Sequence, residues 1–280
     1  MIPFTKAHAR GNDFLIVPAD AVSSLDLPAL TRRLCARTTG IGADGIEFFT
    51  WIRNDDSGPA AGRIRLLNAD GSLAEISGNG TRCVAAWMAR ELNAQPGREL
   101  HIETDAGHRI CRIDSVQTSQ STYSVQVTTG MGVPTAAPRT VRLASGLELT
   151  GIEVSTGNPH FVLRVDNPEF TVHGLAWQTL GAELCAHAAF PNQTNVEFLR
   201  VLDAGNVEIR IFERGVGPTT SSGTGTSASA AAAIAFHDCH SPLTVLAPGG
   251  AQTVSWPSRT SELHLTGTAA LIAHGEAWPA

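Results

Sequence analysis

The chain is almost without lysine: among twenty basic residues, only Lys6 is one. Schiff-base chemistry of the pyridoxal phosphate kind would rest on that residue alone, which argues against such a cofactor. Basic runs are absent as well, and a net charge of -6 offers no clustered Lys and Arg for a phosphate backbone, which argues against nucleic acid as a partner. No apolar run reaches the length that crosses a bilayer, and the opening "MIPFTKAHARGNDFLIV" lacks the apolar core of a signal peptide. The chain therefore reads as cytoplasmic, with no membrane partner. Cys35, Cys83, Cys111, Cys185 and Cys239 form no CxxC pair and are odd in number, so they read as buried thiols of a reducing compartment. "HDCH" at 237 to 240 has no further ligands in evidence; it reads as a solvent-facing loop, and no metal is expected.

What is present is a globular composition. With 280 residues, 42% apolar and 16% charged, the chain can bury one large core or two ordinary ones. It also repeats itself. "IRLLN" at 64 to 68 matches "IRIFE" at 209 to 213, and "SGNGT" at 77 to 81 matches "SGTGT" at 222 to 226, both at an offset of 145 residues. Weaker echoes keep the same order: "GNDFLIV" from Gly11 with "GNPHFVL" from Gly157, "IEFF" from Ile46 with "VEFL" from Val196, and "LHIETDAG" from Leu100 with "LTVLAPGG" from Leu243. Any one pair is within reach of chance, whereas five in one order point to two related halves. Their seam is expected in the proline-bearing stretch 130 to 143, which divides the chain into residues 1–133 and 144–280, with the last strand free to return to the N-terminal half.

Alternating β-rich runs such as "YSVQVTT", "HFVLRV", "VEIRIF" and "ELHLTG" predict strands. "LPALTRRLCAR", with Asp26 as N-cap and Pro28 in the first turn, predicts a helix, as does "GLAWQTLGAELCAHA". Two further helices start at the repeated turns. "TRCVAAWMARELN" and "TSASAAAAIAFH" carry small or apolar residues on nearly every side, which predicts that each is buried inside its own half's sheet. Asp55 and Asp56 read as surface turn residues.

A glycine-rich turn feeding a helix presents unpaired backbone N–H groups and the positive end of the dipole, and so holds an anion. "SGNGT" has neither the spacing and lysine of a Walker loop nor the GxGxxG of a dinucleotide site. Two such turns related by approximate twofold symmetry suggest instead one carboxylate shared by both helix ends, with Ser77 on one side and Ser222 on the other. That arrangement suits a racemase, which needs a base on one face of a carbon and an acid on the other. The paired dipoles would also stabilise an enolate-like intermediate.

The ordered motifs "HARGNDF", "GIGADG", "NADGSLAEISGNGTRC", "STGNPHFV", "FPNQTNVEF" and "ERGVGPTTSSGTG" resemble the diaminopimelate epimerase family from Met1 to about Ala233. The resemblance implies an α/β (α+β) fold of two pseudo-twofold-related halves, each a curled mixed β-sheet or barrel wrapped around a central helix. It implies conversion of LL-diaminopimelate to the meso form by two-base proton transfer, on the way to lysine and cell-wall peptide, with no cofactor and no metal. Oligomeric state is not legible, and a homodimer stays open. By the same resemblance, Asn12, Asn68, Asn158 and Asn195 bind the distal end of a diaminopimelate-like amino acid together with Glu213 and Arg214. Arg214 suits a distal carboxylate and Glu213 an ammonium. The backbone at Gly78, Asn79, Gly223 and Thr224 holds the reacting carboxylate, while His160 and Glu213 assist the acid/base pair. The plainer reading of each asparagine is a turn-stabilising residue.

The departures from the family pattern are specific. The family places a cysteine at both acid/base positions, where this chain has Ser77 and Ser222; Pro218, Thr220, Ser221 and Gly45 also differ from the usual residues. A thiol titrates near ~8.5 and a helix N-terminus lowers it further, whereas a hydroxyl lies several units higher. At about 1.36 kcal/mol per unit, holding an alkoxide costs more than the ~0.3–2 kcal/mol a helix dipole supplies. Serine can still relay a proton that another base drives, and His160 and Glu213 are the candidates. Two alternatives follow: an isomerase, dehydratase or racemase on another substrate working through His160 or Glu213, or a non-catalytic amino-acid-binding homologue.

Overall fold

The computed structural model describes residues 1–54, 58–74, 76–119 and 122–279, so Asp55 and Asp56 lie outside the described residues. In chain order the first elements are β1 (Ile2–Ala9), β2 (Asn12–Pro18), α1 (Leu27–Cys35), β3 (Gly45–Arg53), β4 (Ala60–Asn68), β5 (Leu73–Ala74), α2 (Gly78–Glu91), β6 (Glu99–Thr104), β7 (Gly107–Thr118) and β8 (Tyr123–Gly130). There follow β9 (Thr135–Arg142), β10 (Glu148–Ser155), β11 (Pro159–Arg164), α3 (Trp177–Cys185), β12 (Asn195–Asp203), β13 (Asn206–Glu213), β14 (Gly217–Thr219), α4 (Gly223–Phe236), β15 (Leu243–Ala247), β16 (Gly250–Ser255) and β17 (His264–Ala277). They form two compact units, Met1–Thr129 with Thr266–Ala280, and Gly130–Leu265.

In the first unit the sheet closes on itself. β1 pairs with β2, β2 with β3, β3 with β4, β4 with β6, β6 with β7, β7 with β8, and β17 joins β8 back to β1, an eight-stranded mixed barrel. Closure removes the unpaired edges that an open sheet would expose. α2 runs through the middle, packed on β1, β2, β6 and β7. Small residues on its inner turns, among them Ala85, Ala86 and Ala89, let strand side chains reach the helix from all round, which is why this segment has no polar face. α1 lies outside, its Leu30 and Leu34 against Ile46 and Phe48 of β3. Asp26 caps it by accepting from Ala29 N at 3.1 Å.

The second unit repeats these connections. β11 and β12 are parallel as β2 and β3 are, β12 and β13 antiparallel as β3 and β4, and β13 and β15 parallel as β4 and β6. β14 edges β13 as β5 edges β4. α4, with a run from Ala228 to Ala233 broken only by Ser229, occupies the place of α2 and touches β9 to β13, β15 and β16. α3 covers the outside through Leu180 and Leu184, as α1 does in the first unit. The repeated strings of the sequence are thus repeated strand positions. All five cysteines are unpaired and buried. Among the described residues no helix is long and apolar enough to cross a membrane, and no cluster of three or more His, Cys, Asp or Glu could hold a metal.

Candidate active site

Each unit carries its own half of the predicted residue set. In the first unit, Ser77 stands just before α2 in extended backbone and its Oγ accepts from Gly80 N at 3.0 Å, while its carbonyl accepts from Thr81 N at 2.8 Å. Gly78 and Asn79 contribute the first amides of the helix, which have no acceptor within it. Asn79 is buried and joined to Asn12: Nδ2 donates to Asn12 Oδ1 at 3.1 Å. Asn12 in turn donates to Asp44 Oδ2 at 2.6 Å. Arg82, wholly buried, donates to Asn79 Oδ1, so a cation stands one turn into the helix; burial pulls its pKa down to about 10, which leaves it charged.

Asp44 also meets Arg37, and Arg37 reaches Asp13 at 2.8 and 3.0 Å. Burial acts to raise the Asp13 carboxyl, but Arg37 and Lys6, the latter 3.0 Å away, outweigh it and hold the group below its usual value. This ion cluster fixes the loop that presents Asn12. Asp13 and Asp44 sit inside the motifs "GNDF" and "GADG", where their charge was the available signal. Asn68 stands differently: its Nδ2 donates to Ser72 Oγ at 3.1 Å and its amide to Ser72 O at 2.9 Å, holding the turn after β4.

In the second unit, Ser222 caps α4 the same way, Oγ accepting from Gly225 N at 3.2 Å and lying 3.5 Å from Thr224 Oγ1. Gly223 and Thr224 open the helix. Asn158 Nδ2 reaches Thr224 Oγ1 at 3.4 Å, and Asn158 Oδ1 accepts from His160 Nε2 at 2.9 Å. His160 Nδ1 is 2.8 Å from Glu197 Oε1, with both residues fully buried. Since Nε2 carries a hydrogen for Asn158, one more proton is shared between Nδ1 and Glu197. Burial pushes the Glu197 carboxyl up against the opposing pull of His160. Asn195 donates to Pro159 O at 3.0 Å and accepts from Arg214 N at 3.0 Å, which sets the turn bearing Glu213 and Arg214. Arg214 Nη1 is held by Asn192 O at 2.9 Å.

Two residues escaped the sequence reading. Glu47 of β3 is fully buried on the α2 side of its strand, and among the described residues neither carboxylate oxygen has a hydrogen-bond partner. Burial first, then the nearby Asp105, push its pKa up to about 8. Glu197 is its counterpart in β12. Both are the second letter of the repeated strings "IEFF" and "VEFL", where a lone acid amid apolar neighbours was the signal. No buried cysteine offers a thiolate in their stead: burial pushes Cys83 well up and Cys111 to about 11.

A family model described as diaminopimelate epimerase matches residues 4–135 and 152–272. A diaminopimelate epimerase of Teredinibacter turnerae is 34% identical over 287 residues, covering 98% of each chain. Among solved structures, a predicted epimerase of Pseudomonas aeruginosa superposes over the whole of both chains with TM-score 0.73 at 14% identity. A hydroxyproline epimerase of Agrobacterium vitis, solved with bound trans-4-hydroxy-L-proline, covers 98% of this chain and 90% of its own with TM-score 0.66 at 16% identity. At such identities these two structures establish the shared fold.

Proposed function

This chain belongs to the diaminopimelate epimerase family, and on that premise we propose that it is a cytoplasmic, cofactor-independent isomerase that inverts the α-carbon of a diaminopimelate-like amino acid, LL to meso. Ser77 and Ser222 are the two groups that exchange protons with that carbon. Gly78, Asn79, Gly223 and Thr224 bind its carboxylate. Asn12, Asn68, Asn158, Asn195, Glu213 and Arg214 hold the distal end, and His160 and Glu213 assist proton movement.

The observation that carries the reading is the doubled cap: one serine heads each of two topologically equivalent buried helices, its Oγ taking the amide of the third helical residue. An α-carboxylate held at a helix N-terminus has its developing enolate charge stabilised as the Cα proton leaves. The oxygen that receives that proton is a hydroxyl and needs a base behind it.

α-Hydrogen exchange of LL-diaminopimelate in heavy water tests this. Formation of the meso epimer with one deuterium is expected. Exchange confined to a different amino acid would assign the fold another substrate, and tight binding of diaminopimelate without exchange would make the chain a binding homologue.

A further inference from the structure

The proposed reaction needs a base behind each hydroxyl, and each unit holds a carboxylate in the same place. A Cβ added at Gly80 would collide with Glu47 Oε1 and stand 3.2 Å from Ser77 Cβ. One added at Gly225 would stand 2.8 Å from Glu197 Oε1, 3.2 Å from Ser222 Cβ and 3.3 Å from Ser222 Oγ. In both units, then, the third residue of the buried helix is a glycine whose missing Cβ leaves room where the capping serine and a buried glutamate meet. Only glycine permits so close an approach.

Burying a carboxyl among apolar groups opposes folding unless the group is satisfied. Glu47 has neither oxygen paired among the described residues, and Glu197 has only Oε1 paired. An apolar residue would pack these positions at less cost, yet the repeat carries glutamate in both. Each serine oxygen accepts one amide, which leaves its hydroxyl hydrogen to donate. In the second unit Ser222 Oγ and Glu197 Oε1 lie within 3.3 and 2.8 Å of one and the same point beside Gly225, so the two oxygens are near neighbours without a direct hydrogen bond.

We infer that Glu47 and Glu197 are the proton acceptors and donors behind Ser77 and Ser222, one for each unit, and that the chain uses a serine–glutamate pair to do what one acidic side chain would do alone. The inference rests on the epimerase reading. On the abstracting side the Cα–H bond breaks, its electron pair stays on the substrate as the enolate-like anion, and the proton goes to the serine Oγ. The hydroxyl's own proton passes to the carboxylate. On the donating side the serine hydroxyl gives its proton to carbon and is reprotonated by its glutamate. Each turnover moves one proton from one carboxyl to the other, and exchange with water restores the starting state. For Glu197 the proton shared with His160 is the reserve, and the hydrogen bonds from His160 through Asn158 and Thr224 to Ser222 hold these groups in register. These glutamates are positioning residues, acting through the serines.

The test measures α-hydrogen washout in heavy water separately from the LL and meso epimers, for the wild-type protein, Glu47→Gln, Glu197→Gln, Ser77→Cys and the double variant Ser77→Cys/Glu47→Gln. Each glutamine variant is expected to slow washout at least tenfold, with the larger loss starting from opposite epimers for the two variants. Ser77→Cys, which brings its own acidity, is expected to make Glu47 dispensable, so that the double variant matches Ser77→Cys alone. An active wild type whose Glu47→Gln washout is unchanged, or equally depressed from both epimers without relief by Ser77→Cys, overturns the inference while leaving the epimerase reading intact. A wild type inert toward both epimers overturns the two together. If Glu47→Gln fails to fold, Glu47→Leu, which suits the apolar surroundings, faces the same outcomes.

Discussion

Replacing Glu47 with glutamine should make the protein progressively more stable, relative to wild type, as the pH rises from acid to alkali. The carboxyl is fully buried, and burial together with Asp105 raises its pKa from 4.5 to about 8. Below pH 4.5 the group is protonated whether the chain is folded or not, so it contributes nothing pH-dependent. Between 4.5 and about 8 the folded state binds more protons than the unfolded one, and stability therefore falls as pH rises. Above pH 8 both states are ionised and the full penalty stands. At about 1.36 kcal/mol per unit, that interval is worth a ceiling of ~5 kcal/mol. Glutamine keeps the shape and cannot ionise, so it removes the slope and leaves only a constant offset from its own buried amide. Urea unfolding of both proteins at several values from pH 4 to 9 measures the effect: the stability difference should grow by several kcal/mol, most of it between pH 5 and 8. A thermal midpoint would move by roughly 2–4 °C for each kcal/mol. A difference that stays flat across this range would show that Glu47 is hydrated or paired in solution and would refute the account of its burial.

Other expectations follow from the caps and their glycines. Changing Ser77 and Ser222 together to cysteine should raise the rate of α-hydrogen exchange, and unchanged or lower turnover would count against the serines standing where the family has its thiols. Ser77→Ala and Ser222→Ala should each lower the free energy of unfolding by about 1 kcal/mol, since each leaves a helix amide without its cap. Gly80→Ala should destabilise by about 1–3 kcal/mol through overpacking against Glu47, with most of the loss recovered in Gly80→Ala/Glu47→Ala; an undiminished loss in the pair would place the clash elsewhere. Arg37→Ala removes the cation shared by Asp13 and Asp44. Asp13, held below its usual value, then contributes less of the stability that exists above pH ~4 and vanishes as pH falls through its folded value, so the acid limb of the unfolding curve should flatten.

Local signals carried much of this molecule. Asp26 before Leu27 and Pro28 announced α1, the small-residue runs after Ser77 and Ser222 announced helices with no face for water, and the repeated "IRLLN" and "IRIFE" became equivalent strands β4 and β13. Such features depend on neighbours in the chain, through caps, periodicity and backbone preference, and a sequence states them directly. The family resemblance rested on the same short ordered strings.

What the chain order could not state is which polar side chain ends up inside. In "IEFF" the residues alternate across β3, so Ile46 and Phe48 face α1 while Glu47 and Phe49 face α2. Either face could have been the wet one until the barrel closed around a helix and dried it. Likewise, nothing local required β17 to lie between β8 and β1, because strand pairing at a distance of more than 100 residues is decided by which closure leaves no edge unpaired. Burial and pairing are properties of the whole packed unit, and there a glutamate that looks like one more strand residue becomes a carboxyl pressed against the first turn of a buried helix.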